Sequence, residues 1–143
     1  FRVTPLGRRG TPDEVGAVVA CAEARRGEAS KARRHIEKLR RAAEESDSES
    51  ARYMVLTGEA KIHEALGELE KAIELRRTTS RLADGFHSRA LALVQKVELA
   101  KLLDKAGRRE EAVRLAEEAL PAAVRMGMAH TVRDCRKILE TAG

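Results

Sequence analysis

The residues of this chain that can do chemistry are four histidines, two cysteines and several regularly spaced lysines and carboxylates. Glu59 and His63 lie four positions apart. On a helix they share a face, and with a third ligand they would hold a metal. No HExxH pattern or Cys/His cluster supplies that ligand, so a packed His63 is expected and no metal. His35, His87 and His130 are isolated. Cys21 and Cys135 have neither a disulfide-framework nor a metal-site spacing. They read as buried free thiols in a reducing compartment. No nucleophile has a base nearby in sequence, and no phosphate loop or dinucleotide fingerprint is present. Neither catalysis nor a cofactor is therefore expected, short of a site assembled across the fold.

Charge offers two further candidates. Lys31, Arg34, Lys38 and Arg41 recur at helical spacing, opposite the apolar residues Ala32, Ile36 and Leu39. Such a stripe either tracks phosphates or is an ordinary solvated face, alternating here with Glu37 and Glu45. The chain carries a net charge of +5, with the excess towards its N-terminal third. A nucleic-acid-binding helical protein is accordingly one expectation. The near absence of aromatics, 2% of residues, argues against single-strand stacking. The second candidate is a repeated pair: Lys61 with Glu64, and Lys101 with Asp104, each 40 residues from its counterpart. Lysines so placed can hold a peptide carboxylate or acidic side chains. The alternative is two solvated helix faces.

The elements that position these residues are helices. The chain is rich in Ala, Leu, Glu, Arg and Lys, is 43% apolar and 36% charged, and contains no Trp. The segments Gly27–Ala32, Gly67–Ala72 and Gly107–Ala112 each run from a glycine to an alanine five residues on. Ala20, Ala60 and Ala100 stand seven residues before the three glycines. The register predicts a helix–turn–helix unit used three times. Glycine ends the first helix, and alanines on both helices allow a close approach. Helices are expected at about 12–26, 29–45, 49–66, 69–83, 87–106, 109–126 and 130–141, after a tail at 1–10. Thr11–Glu14 and Ser46–Glu49 read as capping boxes. Pro121 should bend its helix near 117–121 without ending it. The last helix should cap the array, with Val132 and Ile138 as exposed apolar residues able to drive a homodimer. No segment has the make-up of a signal peptide or a membrane span. A cytoplasmic setting without membrane contact is expected.

The glycine-to-alanine registers, with alanine two turns upstream, resemble tetratricopeptide repeats across residues 13–126. The large positions of that family do not match. Its tyrosine-like place is Glu23, His63 and Leu103 here, its phenylalanine place is Ile36, Arg76 and Ala116, and its closing proline is missing. The longer period is similar to long-helix variants of bacterial signalling proteins. Ser88–Leu120 and His130–Leu139 also resemble C-terminal repeat regions of bacterial transcription regulators. The resemblance implies an all-α, right-handed α-solenoid of about three repeats over 11–143, plus a C-terminal capping helix. It implies a regulatory scaffold that binds a protein or peptide on its concave face, lined by the first helix of each pair. Carried over, that face comprises Ala17, Cys21, Ala24 and Arg25, then Met54, Thr57, Lys61 and Glu64, then Val94, Val97, Lys101 and Asp104.

Overall fold

A computed structural model describes residues 27–141. The expected tail, the helix at 12–26, the Thr11–Glu14 cap, Cys21 and Arg25 lie outside the described residues. Every regular element among the described residues is an α-helix, as composition required. They are α1 (Ala29–Glu45), α2 (Glu49–Ala65), α3 (Leu69–Asp84), α4 (Arg89–Lys105), α5 (Arg109–Arg125) and α6 (Ala129–Thr141). The chain divides into two compact units, Phe1–Glu68 and Leu69–Gly143.

The turns repeat one geometry. Gly67, Gly107 and Gly127 all have positive φ, near +81°, +84° and +66°. At each, the glycine N–H donates to the carbonyl three residues back, and the next N–H donates to the carbonyl five residues back. Examples are Gly107 to Asp104 at 3.1 Å and Arg108 to Leu103 at 2.8 Å. This paired closure satisfies carbonyls that a helix end leaves without donors. Gly27, at φ +82°, has the same conformation. At the start of α2 the cap is displaced from the expected Ser46. Ser48 Oγ accepts from Ala51 N–H at 3.3 Å, while Ser46 Oγ accepts from Ser48 N–H at 3.1 Å. The second serine in the turn lies two residues nearer the first free N–H groups. Ser88 caps α4 in the same way, accepting from Leu91 N–H.

In the first unit, α1 packs on α2 through Ala32, Ile36, Leu39, Ala43, Val55 and Ile62, all buried. In the second, α3 packs on α4, α4 on α5 and α5 on α6, and α4 also touches α6. The small-residue register sits at the centre of this packing. Ala72, Ala100, Ala112, Ala116, Ala119 and Ala123 are fully buried, surrounded by Leu93, Val97, Leu99, Leu102, Leu103, Cys135 and Ile138. Ion pairs join helices of successive pairs. Arg77 on α3 reaches Glu111 on α5 at 2.6 and 3.0 Å, and Arg108 pairs with Glu70.

Helix α5 runs unbroken through Pro121. Pro121 and Glu117 are both exposed, so the Glu117 carbonyl, deprived of its helical donor, can turn to water. The expected dimer surface on α6 is corrected. Ile138 is buried and Val132 half-buried, both packed into the second unit's core. The apolar stripe of α6 is turned inward onto the core it shares with α4 and α5.

A Cβ placed on Gly107 would meet nothing within 4 Å. Gly107→Ala therefore tests the turn alone. Unfolding of the second unit, followed by circular dichroism in urea, should become easier by about 1 kcal/mol through the positive φ. An unchanged midpoint would show that the turn does not need glycine.

Candidate functional site

The third-repeat residues of the expected groove have unequal fates. Val97 is 2% exposed and belongs to the core. This corrects its expected place on a binding face: α4 is flanked by α3, α5 and α6, so its apolar side chains are consumed by packing. Val94 is half-buried. Lys101 remains exposed, its side chain 41% accessible, with Nζ 3.4 Å from Asp134 on α6 and 3.3 Å from Glu98. Partial burial alone would lower the Lys101 pKa, but Glu98 and Asp134 outweigh it and hold the ammonium above its ordinary value. His130 Nε2 stands 3.5 Å from Asp134. Asp104 accepts from Arg109, at the start of α5. The α4–α6 face is thus a polar strip made of Glu98, Lys101 and Asp134, with the His130 imidazole at its end.

In the first unit, Lys61 is exposed with no ion pair among the described residues. Thr57 donates to the Tyr53 carbonyl at 2.8 Å, so its hydroxyl serves the helix. Glu64 is half-buried and engaged, and Met54 is exposed.

The pair Glu59 and His63 is a buried charge relay. Glu59 Oε2 lies 3.3 Å from Arg40 and 3.8 Å from His63 Nε2. His63 Nδ1 lies 2.9 Å from Glu68 Oε1, and Arg33 closes the row on Glu68 at 3.1 Å. Glu68 is the residue just past the glycine turn, so its side chain folds back over the helix end that its own N–H closes. Burial pushes the Glu59 carboxyl up, but His63 and Arg40 outweigh it and hold it below its ordinary value. Glu59 raises the His63 pKa against burial, with help from Glu68. The expected packed histidine is present, and no metal-binding cluster occurs among the described residues.

One polar group was not anticipated as a unit. Arg76 is 5% exposed, and among the described residues its guanidinium bonds to Gln95 Oε1 at 3.4 Å, which also accepts from Thr79 at 3.2 Å. In the 40-residue register these three positions are Ile36, Leu39 and Val55 one unit earlier, and Ala116, Ala119 and Cys135 one unit later. All six are buried apolar residues. The α3–α4 contact is therefore polar where α1–α2 and α5–α6 are apolar. The same register that revealed the repeats was enough to find this, had each position been compared for polarity.

On α1, Lys31, Arg34, Lys38 and Arg41 are exposed opposite the buried stripe, as expected. Lys31 pairs with Glu28 at 3.0 Å, and Lys31, Arg34, His35 and Lys38 line a shallow depression of about 380 Å³. The Cys135 thiol is buried, and burial and then Asp134 push its pKa up, which suits a packing role.

No family model, no curated protein and no solved structure matches this chain. The register and the side-chain geometry therefore stand as the basis for any functional reading. No helix of the described residues is long and apolar enough to cross a membrane.

Two outcomes follow. The His63 pKa is raised in the folded chain, so its contribution is full below about pH 6.5 and is lost as pH rises through the folded value. Glu59, with a lowered pKa, contributes fully above about 4.5 and less as pH falls through its folded value. Urea unfolding followed by Tyr53 emission, the single tyrosine in a chain without Trp, should show first-unit stability falling on the alkaline side. His63→Gln should flatten that limb, and an equally steep limb in the variant would exclude His63 as its cause. Separately, transplanting the apolar residues of the earlier unit (Arg76→Ile, Thr79→Leu, Gln95→Val) should raise the second unit's melting temperature. Replacing a buried charge network by packed apolar groups is often neutral or stabilising by about 1–4 kcal/mol. A lower melting temperature would mean that the polar layer stabilises the α3–α4 contact.

Proposed function

We propose that this chain is a tetratricopeptide-like binding scaffold of α-solenoid type, which holds an acidic or C-terminal peptide segment on the α4–α6 face. The observation that carries the reading is Lys101. Among the described residues, its ammonium is exposed between two helices and held by Glu98, 37% accessible, and Asp134, 16% accessible. An exposed pair such as that with Glu98 is worth about 0–1 kcal/mol. An incoming carboxylate can displace Glu98, which returns to water at little cost, while Asp134 stays in place. Lys61 at the equivalent position of α2 supports the same chemistry. The fixed helices give such a ligand a rigid, preorganised surface. Service as a cytoplasmic regulatory module of a bacterial signalling or transcription-regulator protein rests on the long repeat period and the resemblance of Ser88–Leu120 and His130–Leu139.

A second reading, polyanion binding, draws on the exposed α1 stripe. It differs in its salt dependence, which is steep for a phosphate backbone.

A peptide-display library with free C-termini should yield ligands rich in Asp and Glu. Lys101→Glu should weaken them by about tenfold or more, while Lys31→Glu on α1 leaves them unchanged. Ligands indifferent to Lys101→Glu would remove the α4–α6 face from the account.

A further inference from the structure

A different face of α6 carries a second feature. Val124 at the end of α5, together with Val132, Arg133, Arg136, Lys137 and Glu140 of α6, borders an open groove of about 680 Å³. Val124 is 54% exposed. Arg133 and Arg136 are exposed and pair with no carboxylate among the described residues. They lie one helical turn apart, on the side of α6 away from the buried Thr131, Cys135 and Ile138.

The register shows how unusual this face is. Helix α6 stands where the first helix of a further pair would stand. Moved forward by 40 residues, Leu93, Val97 and Ala100 of α4 become Arg133, Lys137 and Glu140. In α4 those three side chains are buried against neighbouring helices. In α6 the same positions are charged and exposed. Ala100 in particular is a close-approach residue of the helix pair, and Glu140 in its place forbids a second helix from seating in the same way. Ordinary repeat stacking, and an apolar copy of this chain, are therefore poor occupants. What is left is a short apolar floor, Val124 and Val132, beneath a rim of three cations and one carboxylate.

We infer that this groove docks a short amphipathic acidic helix of a partner protein. The partner's carboxylates, spaced three or four residues apart, would meet Arg133 and Arg136 one turn apart, and its apolar stripe would cover Val124 and Val132. Arginine suits the role, because its planar fork takes a carboxylate bidentately. The groove runs along α6 from Ala129 to Glu140, about three turns or roughly 16 Å. The contact is thus small, and the complex is weak and sensitive to salt. This inference does not rest on the α4–α6 reading. Lys101 and Asp134 lie on another face, and either surface can fail alone.

The test uses the full chain and a fluorescein-labelled peptide of about twelve residues, with Leu at helical spacing and Glu at the flanking i, i+3 and i+4 positions. Fluorescence anisotropy at low salt should show saturable binding. Arg133→Glu with Arg136→Glu should weaken it by at least about tenfold, while Arg114→Glu, an exposed position of α5 away from the groove, leaves it unchanged. If the double charge reversal perturbs folding by circular dichroism, Arg133→Gln with Arg136→Gln replaces it, and a loss of at least about threefold is expected. Amide shifts should move at Val124, Gly127 and Val132. The inference is overturned if the peptide does not bind, or if a Glu→Gln version binds equally well. It is also overturned if single-stranded RNA displaces the peptide from the same residues more effectively than the unlabelled peptide does. Light scattering that shows a dimer abolished by the arginine reversal would equally overturn it, in favour of self-association.

Discussion

The structure depends on close approach between helices that have almost no side chain where they meet. Ala100 on α4 and Ala112 on α5 are fully buried in one core, as are Ala72, Ala116, Ala119 and Ala123. Alanine has the highest helix propensity and loses no side-chain entropy on burial. It therefore serves the helix and the contact together. The cost is that each contact buries little apolar area, so larger residues must fill the space around it. Leu93, Leu99, Leu102 and Leu103 do so on α4, which explains why this helix is apolar around so much of its circumference. The glycine turn completes the constraint. A positive φ at Gly107 returns the chain within a few residues and leaves both helices antiparallel and adjacent.

From that constraint follows what lies free on the surface. Once α4 is enclosed by α3, α5 and α6, Val97 belongs to the core and only the charged edge of the helix is available. Lys101 is exposed because its position faces the strip between α4 and α6 rather than a neighbouring helix axis. The polar layer of Arg76, Thr79 and Gln95 departs from the logic of the fold. A guanidinium whose partner among the described residues is the neutral Gln95 forfeits hydration there without gaining a counter-charge. The Glu59–His63–Glu68 relay, by contrast, matches each buried charge with an opposite one, though Glu59 Oε1 has no hydrogen bond among the described residues.

Much of this was legible in the sequence. The 40-residue glycine and alanine registers marked the helix pairs, because the turn demands glycine and the close approach demands alanine regardless of what surrounds them. The helix limits of α1 to α6 followed from the same signals. Three features were not legible. Ser48 rather than Ser46 caps α2, since two serines in one turn compete and only backbone geometry decides between them. The place of Val97 on a binding face follows from the repeat resemblance alone, which assigns a face by position and does not show that α4 is flanked on three sides. The sequence pattern of α6 does not show which way its apolar stripe faces, and the structure turns Ile138 inward. The candidate site was legible only as charge repetition. Nothing in sequence alone revealed that Lys101 shares its surroundings with Asp134, 33 residues away.

The central functional claim is that ligand recognition belongs to the cationic edges of α4 and α6. The most direct measurement is amide chemical-shift mapping of the labelled chain, titrated with peptides selected from a library without any bias in surface or charge. The account predicts acidic ligands whose perturbations cluster around Lys101, Asp134, Arg133 and Arg136. Perturbations centred on Lys31 to Arg41 of α1, or selected ligands without acidic character, would contradict it.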